Sequence, residues 1–228
     1  FEANHSRIRS ESIGNRHDAA AISLLKEVAG TESDEEMRRT AAYALGNIKE
    51  KAALDALREI YTMDVDLKTK EAVLHSIANN GDEGAFDFLL KIAVADPNDR
   101  LAKAAVYSIG NLPEGKRNAS VYLEILRKAQ SLEVRKAALY RIAEEHDIVS
   151  VKTLGDIIKE EKDTDLKIAA VYALGNTKSD DAVTILYDII KKDTNKKVRT
   201  AAVNALSNIG TPKAQDALLQ ILEGKPKE

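Results

Sequence analysis

The sequence contains no cysteine and no tryptophan, and only 3 phenylalanines, 4 prolines and 11 glycines among its 228 residues. Without cysteine the chain cannot form disulfides, Cys-ligated zinc sites or thiol nucleophiles, so cysteine usage does not fix its compartment. The scarcity of proline and glycine leaves few turns, and the scarcity of aromatic residues requires an aliphatic core. Together these absences favour a helical protein.

Long hydrophobic runs are also missing. No apolar run approaches the roughly 18 residues of a membrane span, and the segment from Phe1 to Arg9 lacks the apolar region of a signal peptide. The 34 basic residues are nearly balanced by 37 acidic ones, which gives no bulk attraction to nucleic acid. We expect a soluble protein without a membrane or nucleic-acid partner, either cytoplasmic or, after processing, periplasmic or secreted.

A repeat of 32 residues runs along the whole chain. Its first register, taken as position 0, is occupied by Ile13, Leu45, Ile77, Ile109, Ile142, Leu174 and Leu206. Its second register is occupied by Leu25, Leu57, Leu89, Tyr122, Leu154, Leu186 and Leu218. One extra residue falls in the segment 113–118, and stacked two-helix units tolerate an insertion that is confined to a turn.

The residue pattern of each repeat predicts two amphipathic helices. Around position 0 the apolar residues recur at i, i+4, i+7, i+8 and i+11, which is a helical stripe and not a strand alternation. Residues that cap helix N-termini stand eleven positions upstream of position 0: Asp34, Asp66, Asn98, Ser131, Asp163 and Asn195. The second segment, such as residues 182–190, forms another helix of about three turns.

The pattern Val-Arg-x-Ala-Ala-x-x-Leu-Gly-Asn, seen in variants over residues 37–48 and 198–209, resembles the HEAT-repeat family. It is closest to the short HEAT-like repeats first noted in phycobilisome lyases. The resemblance implies an all-α fold, an α-solenoid (alpha-alpha superhelix) of about seven two-helix repeats. We expect a monomeric single domain over residues 1–228 that is part of a longer protein, with repeats at roughly 1–30, 31–62, 63–95, 96–129, 130–161, 162–193 and 194–228.

The resemblance also implies that the first helix of each repeat lines a concave side. A helical wheel places positions −8, −4, −1, 0 and +3 in the core, and positions −6, −2 and +1 opposite. Position −2 is occupied by Glu11, Tyr43, His75, Tyr107, Tyr140, Tyr172 and Asn204. Position −6 is occupied by Arg39, Glu71, Lys103, Lys136, Ile168 and Thr200. Position +1 is kept small by Gly46, Ala78, Gly110, Ala143, Gly175 and Ser207.

These rows predict a partner-binding site on the concave side. Its candidate residues are Arg39, Tyr43, Glu71, His75, Lys103, Tyr107, Lys136, Tyr140 and Tyr172. The tyrosines, which would run roughly 30 to 40 Å along the groove, offer contact area with a polar tip. Alternatively they pack across the next repeat and seal the helix layer, and the two roles are compatible.

Two further rows have structural interpretations. Asparagines at +2 are predicted to end the first helices, where they tolerate left-handed geometry and bond loop backbone: Asn15, Asn47, Asn79, Asn111, Asn176 and Asn208. Cations at −7 are predicted to pair with the Asp row of an adjacent turn: Arg38, Lys70, Arg135, Lys167 and Arg199. Arg141 replaces a small residue at −1, and we expect it to reach toward Glu144 or Asp147, with a bend or a specific contact as the alternative.

Signatures of known enzymes are missing. The four histidines precede Ser6, Asp18, Ser76 and Asp147, so the His-Glu steps that hold iron in HEAT-like deoxyhypusine hydroxylases are not present. HEAT-like DNA glycosylases rely on tryptophan and a basic groove, whereas this chain has no tryptophan and no excess of basic residues. No motif in the sequence supports a Ser-His-Asp site or a phosphate-binding loop. We therefore expect no catalytic activity, no metal and no cofactor.

The leading hypothesis is a non-catalytic scaffold that binds a protein or an extended peptide on its concave face. One alternative, which rests on the resemblance, is a bilin lyase-type enzyme subunit or a chaperone. Another is a binder of an anionic partner, which rests on cations close to the groove: Arg39, Lys103, Arg135, Lys136 and Lys167.

Overall fold

A computed structural model describes residues 18–113, 118–145 and 148–223. These residues form thirteen α-helices and no strands. The first helix, α1, passes through residues 18–31. The others are α2 (Glu35–Asn47), α3 (Lys51–Thr62), α4 (Leu67–Asn80), α5 (Glu83–Ala95), α6 (Asp99–Ile109), α7 (Ala119–Lys128), α8 (Leu132–Ala143), α9 (Ile148–Glu160), α10 (Thr164–Asn176), α11 (Asp180–Lys192), α12 (Lys196–Ile209) and α13 (Pro212–Leu222).

The chain divides into two compact units, Phe1–Lys116 and Arg117–Glu228. In the first unit the helices that begin each repeat, α2, α4 and α6, pack side by side, and α3 and α5 pack against them. In the second unit α8, α10 and α12 pack side by side, with α7, α9, α11 and α13 against them. This order of first and second helices confirms the predicted all-α, HEAT-like solenoid fold. The single domain over residues 1–228 stays a prediction.

The two apolar registers form the core. In the described part of the first register every side chain has no exposed surface: Leu45, Ile77, Ile109, Ile142, Leu174 and Leu206. In the second register the same holds for Leu57, Leu89, Tyr122, Leu154 and Leu186. Burial of each such side chain contributes about 1.5–3 kcal/mol. Ile13 lies outside the described residues.

All six predicted N-caps are confirmed. Each side chain accepts a hydrogen bond from a backbone amide of the first helical turn: Asp34, Asp66, Asn98, Ser131, Asp163 and Asn195. The Asp34 carboxylate, for example, lies 2.7 Å from the Glu36 amide nitrogen. Each cap satisfies amides that the helix itself leaves unpaired, and contributes about 1 kcal/mol.

The small residues at +1 correct one part of the helical-wheel prediction, which placed them on the exposed side. Gly46 and Gly175 are buried, because the next first helix lies directly against them. A Cβ on Gly46 would lie 2.8 Å from the Cα of Ser76, and a Cβ on Gly175 would lie 2.9 Å from the Cα of Ala205. Position +1 is therefore small because it forms the contact between first helices, and not because it leaves room for a ligand.

The asparagines at +2 also differ from their prediction. Among the described non-glycine residues only Lys178 has a positive φ, so the described asparagines do not use the left-handed geometry that asparagine tolerates. They bond to one another instead. The Asn79 amide donates to the Asn47 side-chain oxygen at 2.9 Å and to the Gly46 carbonyl at 3.1 Å. The Asn208 amide donates to the Asn176 side-chain oxygen at 3.0 Å, while Asn15 lies outside the described residues.

We predict that Gly175→Ala destabilises the fold by about 1–2 kcal/mol, although alanine favours a helix by about 1 kcal/mol over glycine. The added methyl group meets the backbone of α12, which cannot move without shifting the helix. Gly155→Ala is the matched control, since its Cβ meets only the flexible end of Ile185, 2.9 Å away. Chemical denaturation of both variants measures the difference. Equal or greater stability of Gly175→Ala would contradict close helix packing at position +1.

Candidate partner-binding face

The exposed face of the first helices in unit 1 consists of two rows one helical turn apart. Tyr43, His75 and Tyr107 at −2 form the first row, and Asn47, Asn79 and Asn111 at +2 form the second. All six side chains are exposed. Positions i and i+4 share one face of a helix, so Tyr43 and Asn47 lie on one face of α2, and His75 and Asn79 lie on one face of α4, whereas Asn111 lies in the turn after α6. We call these six residues the unit 1 face.

Two rings of the unit 1 face contact each other. The ring centroids of Tyr43 and His75 lie 6.1 Å apart with an interplanar angle of 83°, an edge-to-face arrangement. Tyr43 is nevertheless 45% exposed, and Tyr107 is 47% exposed. Contact within the row therefore orients the rings but leaves about half of each tyrosine open to solvent.

Unit 2 presents a corresponding face on α8, α10 and α12. Tyr172 is 37% exposed, Asn204 is exposed and Tyr140 is half-buried at position −2. Asn176 and Asn208 are exposed at +2. We call these five residues the unit 2 face. The predicted continuous row from Tyr43 to Tyr172 stays a prediction, because its members are divided between the two units.

The remaining tyrosines are buried in the helix layers. Tyr61 is 7% exposed, Tyr122 has no exposed surface and Tyr187 is 5% exposed. The Tyr61 hydroxyl donates to the Asp96 carboxylate at 2.6 Å, and burial together with this bond raises the pKa of Tyr61 far above its ordinary value. Tyrosine thus has two separate uses in this chain, since the buried ones lie on second helices and those at −2 lie on first helices.

Charges on the two faces are largely compensated. Arg39 lies 3.8 Å from Glu35 on α2, and Lys136 lies 3.0 Å from Glu133 on α8. Glu71, which was predicted to contact a partner, forms an ion pair with Arg100 of the next first helix. Lys103 is half-buried and has an interaction of its own.

The cations proposed for an anionic partner are paired as well. Arg135 lies 3.1 Å from Glu161, and Lys167 lies 2.8 Å from Asp193. Acidic side chains therefore lie next to four of the five cations. Since each pair offsets its own charge locally, the five predicted cations do not add up to a basic surface.

The cations at −7 join successive repeats. Arg38 reaches Asp66, the N-cap of the next first helix, at 2.7 Å and donates to the carbonyls of Glu32 and Ser33. Pairing with the Asp row was predicted for all five cations at −7, and the described residues show it for Arg38. Arg135 pairs with Glu161 and Lys167 with Asp193 instead. Burial raises the pKa of Asp66, but bonds from Thr69 and Arg38 lower it by more, so the pKa lies well below its ordinary value.

The exceptional residue Arg141 reaches to the surface as predicted. Its guanidinium forms an ion pair with Glu144, and its central carbon lies 5.9 Å from the ring centroid of buried Tyr122. Burial lowers the pKa of Arg141, but these two neighbours raise it by more, so the cation is retained. Asp147, the other predicted partner, lies outside the described residues.

A groove beside Tyr172 is the one feature of the unit 2 face that sequence reasoning missed. It has a volume of about 350 Å³ and is lined by Ile168, Tyr172, Lys196, Lys197, Thr200 and Ala201. Only Ile168 and Tyr172 were noted in the predicted rows of α10. A comparison of charges between equivalent positions of successive repeats would have found the two lysines, because they begin α12 where an acidic neighbour is missing.

Residues 18–113, 118–145 and 148–223 contain no group of three His, Asp or Glu side chains placed to hold a metal ion. His75 lies on the unit 1 face, whereas Glu11, His5, His17 and His146 lie outside those ranges. None of the described helices combines the length and apolarity needed to cross a bilayer.

Comparison with known proteins identifies the family. The sequence pattern of HEAT repeats matches residues 10–78 and 151–228, more than half of the chain. The chain therefore belongs to the HEAT-repeat family. A search of curated proteins gave no match.

Solved structures add only a general likeness. The chain is similar to human deoxyhypusine hydroxylase in complex with glycerol, with 15% identity and a TM-score of 0.41 over 95% of this chain and 94% of that one. It is also similar to a computationally designed self-assembling cyclic homo-oligomer, with 15% identity and a TM-score of 0.19 over 92% and 84% of the two chains. Both scores are too low to carry an argument about function.

The Arg38–Asp66 pair predicts a pH-dependent stability. A carboxyl whose folded pKa is depressed stabilises the fold above its ordinary pKa of about 3.9, and this contribution disappears as pH falls through the lower folded value. Asp66→Asn keeps the capping oxygen but removes the charge, so it costs about 1–2 kcal/mol at pH 7. We expect its difference from the wild type to shrink below about pH 4.

Asp34→Asn is the control, because Asp34 caps α2 but has no ion pair within the described residues. Urea denaturation between pH 7 and pH 3 gives both differences. If Asp66→Asn and Asp34→Asn show the same pH dependence, the ion pair between repeats does not contribute to stability.

Proposed function

We propose that this chain is a non-catalytic scaffold that binds a protein or an extended peptide on the exposed faces of its first helices. The observation that carries the proposal is the exposure of Tyr43, Tyr107 and Tyr172. The chain buries Tyr61, Tyr122 and Tyr187 and half-buries Tyr140, but it leaves these three tyrosines 37–47% exposed, all at the same repeat position. Exposed aromatic side chains cost solvation in the free protein and supply much of the binding energy at interfaces.

The spacing between consecutive first helices favours an extended peptide as the partner. Packed helices lie about 8–10 Å apart, so three first helices span roughly 16–20 Å. An extended chain rises about 3.3 Å per residue, so five or six residues would cross one unit. The asparagines beside the rings add amide donors and acceptors at the height where a peptide backbone would pass.

Likeness to the repeats of phycobilisome lyases, and the lyase or chaperone activity that it implies, remain hypotheses. The alternative that the chain binds an anionic partner also remains a hypothesis. Its five predicted cations do not support it, since four have acidic partners close by.

The test starts from peptides of about ten residues selected from a random phage library against the whole chain. With the best peptide, we predict that Tyr107→Ala, for a peptide on the unit 1 face, or Tyr172→Ala, for a peptide on the unit 2 face, weakens binding by about 1–3 kcal/mol, because it removes half-exposed aromatic area that the peptide would cover. Calorimetry gives the affinities, and thermal melting shows that the fold is kept. Leu24→Ala is the control, since Leu24 is 62% exposed on a second helix.

Packing of the tyrosines between repeats predicts the reverse: lower melting temperatures with unchanged affinity. That result, or failure to select any peptide, would remove the first-helix faces from the binding site.

A further inference from the structure

The groove beside Tyr172 combines an apolar wall with two cations. Ile168 and Tyr172 of α10 form one side, and Ala201, which is 2% exposed, lies on α12 at the other. Lys196 and Lys197 stand at the start of α12 and are exposed. The volume of about 350 Å³ lies at the lower end of the range for ligand pockets, about 300–1,000 Å³.

Lys197 differs from the cations at the equivalent position of other repeats. Lys68 at the start of α4 lies 3.1 Å from Glu35 of the preceding first helix, and Arg100 at the start of α6 pairs with Glu71. Each of those cations is therefore compensated by an acid on the neighbouring first helix.

Lys197 occupies the same repeat position as Lys68 and Arg100, but its neighbour α10 lacks both acids. Thr164 stands where α2 has Glu35, and Ile168 stands where α4 has Glu71. The Thr164 hydroxyl accepts a hydrogen bond from Asn195 at 3.3 Å, so it supports the α12 cap and not a cation. Neither Lys196 nor Lys197 has an ion pair within the part of the chain that the structure describes.

We infer that this groove is a subsite for an acidic peptide segment: a bulky apolar side chain contacts Ile168 and Tyr172, and a carboxylate one or two residues away meets Lys196 and Lys197. The inference rests on the proposed function, which it makes specific for one class of peptide. Ile168, which stands where α4 has Glu71, forms part of the apolar wall and leaves Lys197 without the acid that compensates Arg100. An apolar ligand alone would not use the lysines, and a free anion would not use Ile168.

The probes are matched peptides. Peptides of about ten residues are selected against the wild type, and the best one is synthesised with its acidic residues intact and with Asp→Asn or Glu→Gln replacements. We expect the acidic form to bind the wild type about three- to tenfold more tightly than the amide form, as for two partly exposed ion pairs. Lys196→Glu/Lys197→Glu should abolish this preference. Acidic residues suit the first turn of a helix, so the double variant keeps its fold.

Lys152→Glu/Lys159→Glu controls for net charge, because both lysines are exposed on α9, a second helix. It should retain the preference for the acidic peptide. Ile168→Ala should weaken both peptide forms equally, since it removes the apolar wall alone.

The outcomes separate the two proposals. If selected peptides need Tyr172 but the wild type binds acidic and amide forms equally, the scaffold function stands and the subsite is overturned. The subsite is also overturned if Lys196→Glu/Lys197→Glu keeps the wild-type preference. If no peptide is selected at all, both proposals fail together.

Discussion

Close contact between consecutive first helices is the constraint on which the rest of the structure depends. It occurs where Gly46 meets the backbone at Ser76, and again where Gly175 meets Ala205. At these points the two helix backbones approach so closely that a single methyl group would overlap the neighbour. In both contacts a small residue at +1 therefore faces a small residue, Ser76 or Ala205, at −1 of the next repeat. These small residues recur in the sequence with the 32-residue period.

Stacking of this kind determines which residues remain for function. The first helix uses one side for the second helices and two flanks for its neighbours, so the positions left exposed in at least five of the six described repeats include −9, −2 and +2, whereas −6 is half-buried in five of them. Ion pairs such as Arg39–Glu35 and Lys136–Glu133 cover much of position −6 with side chains of the same unit. The tyrosines at −2 are exposed large side chains that recur at one repeat position, and for this reason they carry the proposed binding function.

Much of the fold could be predicted from sequence because burial and capping depend on local spacing. The two registers, the six N-caps and the order of helices follow from periods of 3.6 and 32 residues, and all agree with the structure. Features that depend on the neighbouring repeat were harder to predict. A helical wheel represents one helix without its neighbours, and for this reason it placed position +1 on the exposed side. For the same reason the asparagines were assigned to left-handed geometry, whereas Asn79 and Asn208 bond to the preceding repeat.

The candidate site likewise has one part that the sequence predicts and one part that it does not. The tyrosine row was visible in sequence, since it needs only the repeat alignment. The groove beside Tyr172 was not, because it arises from a difference between repeats: Thr164 and Ile168 replace acids that neutralise the equivalent cations elsewhere. A repeat protein gains specificity where its copies diverge, so the most informative positions are those that break the period.

Amide chemical-shift mapping with a selected peptide tests the central claim most directly, because it locates the contact without altering the chain. The account predicts that the largest shift changes fall on first helices, at residues around Tyr107 and Tyr172, and that the exposed sides of α1 and α9 change little. Largest changes on the second helices, for example around Leu24 or Lys152, would contradict it.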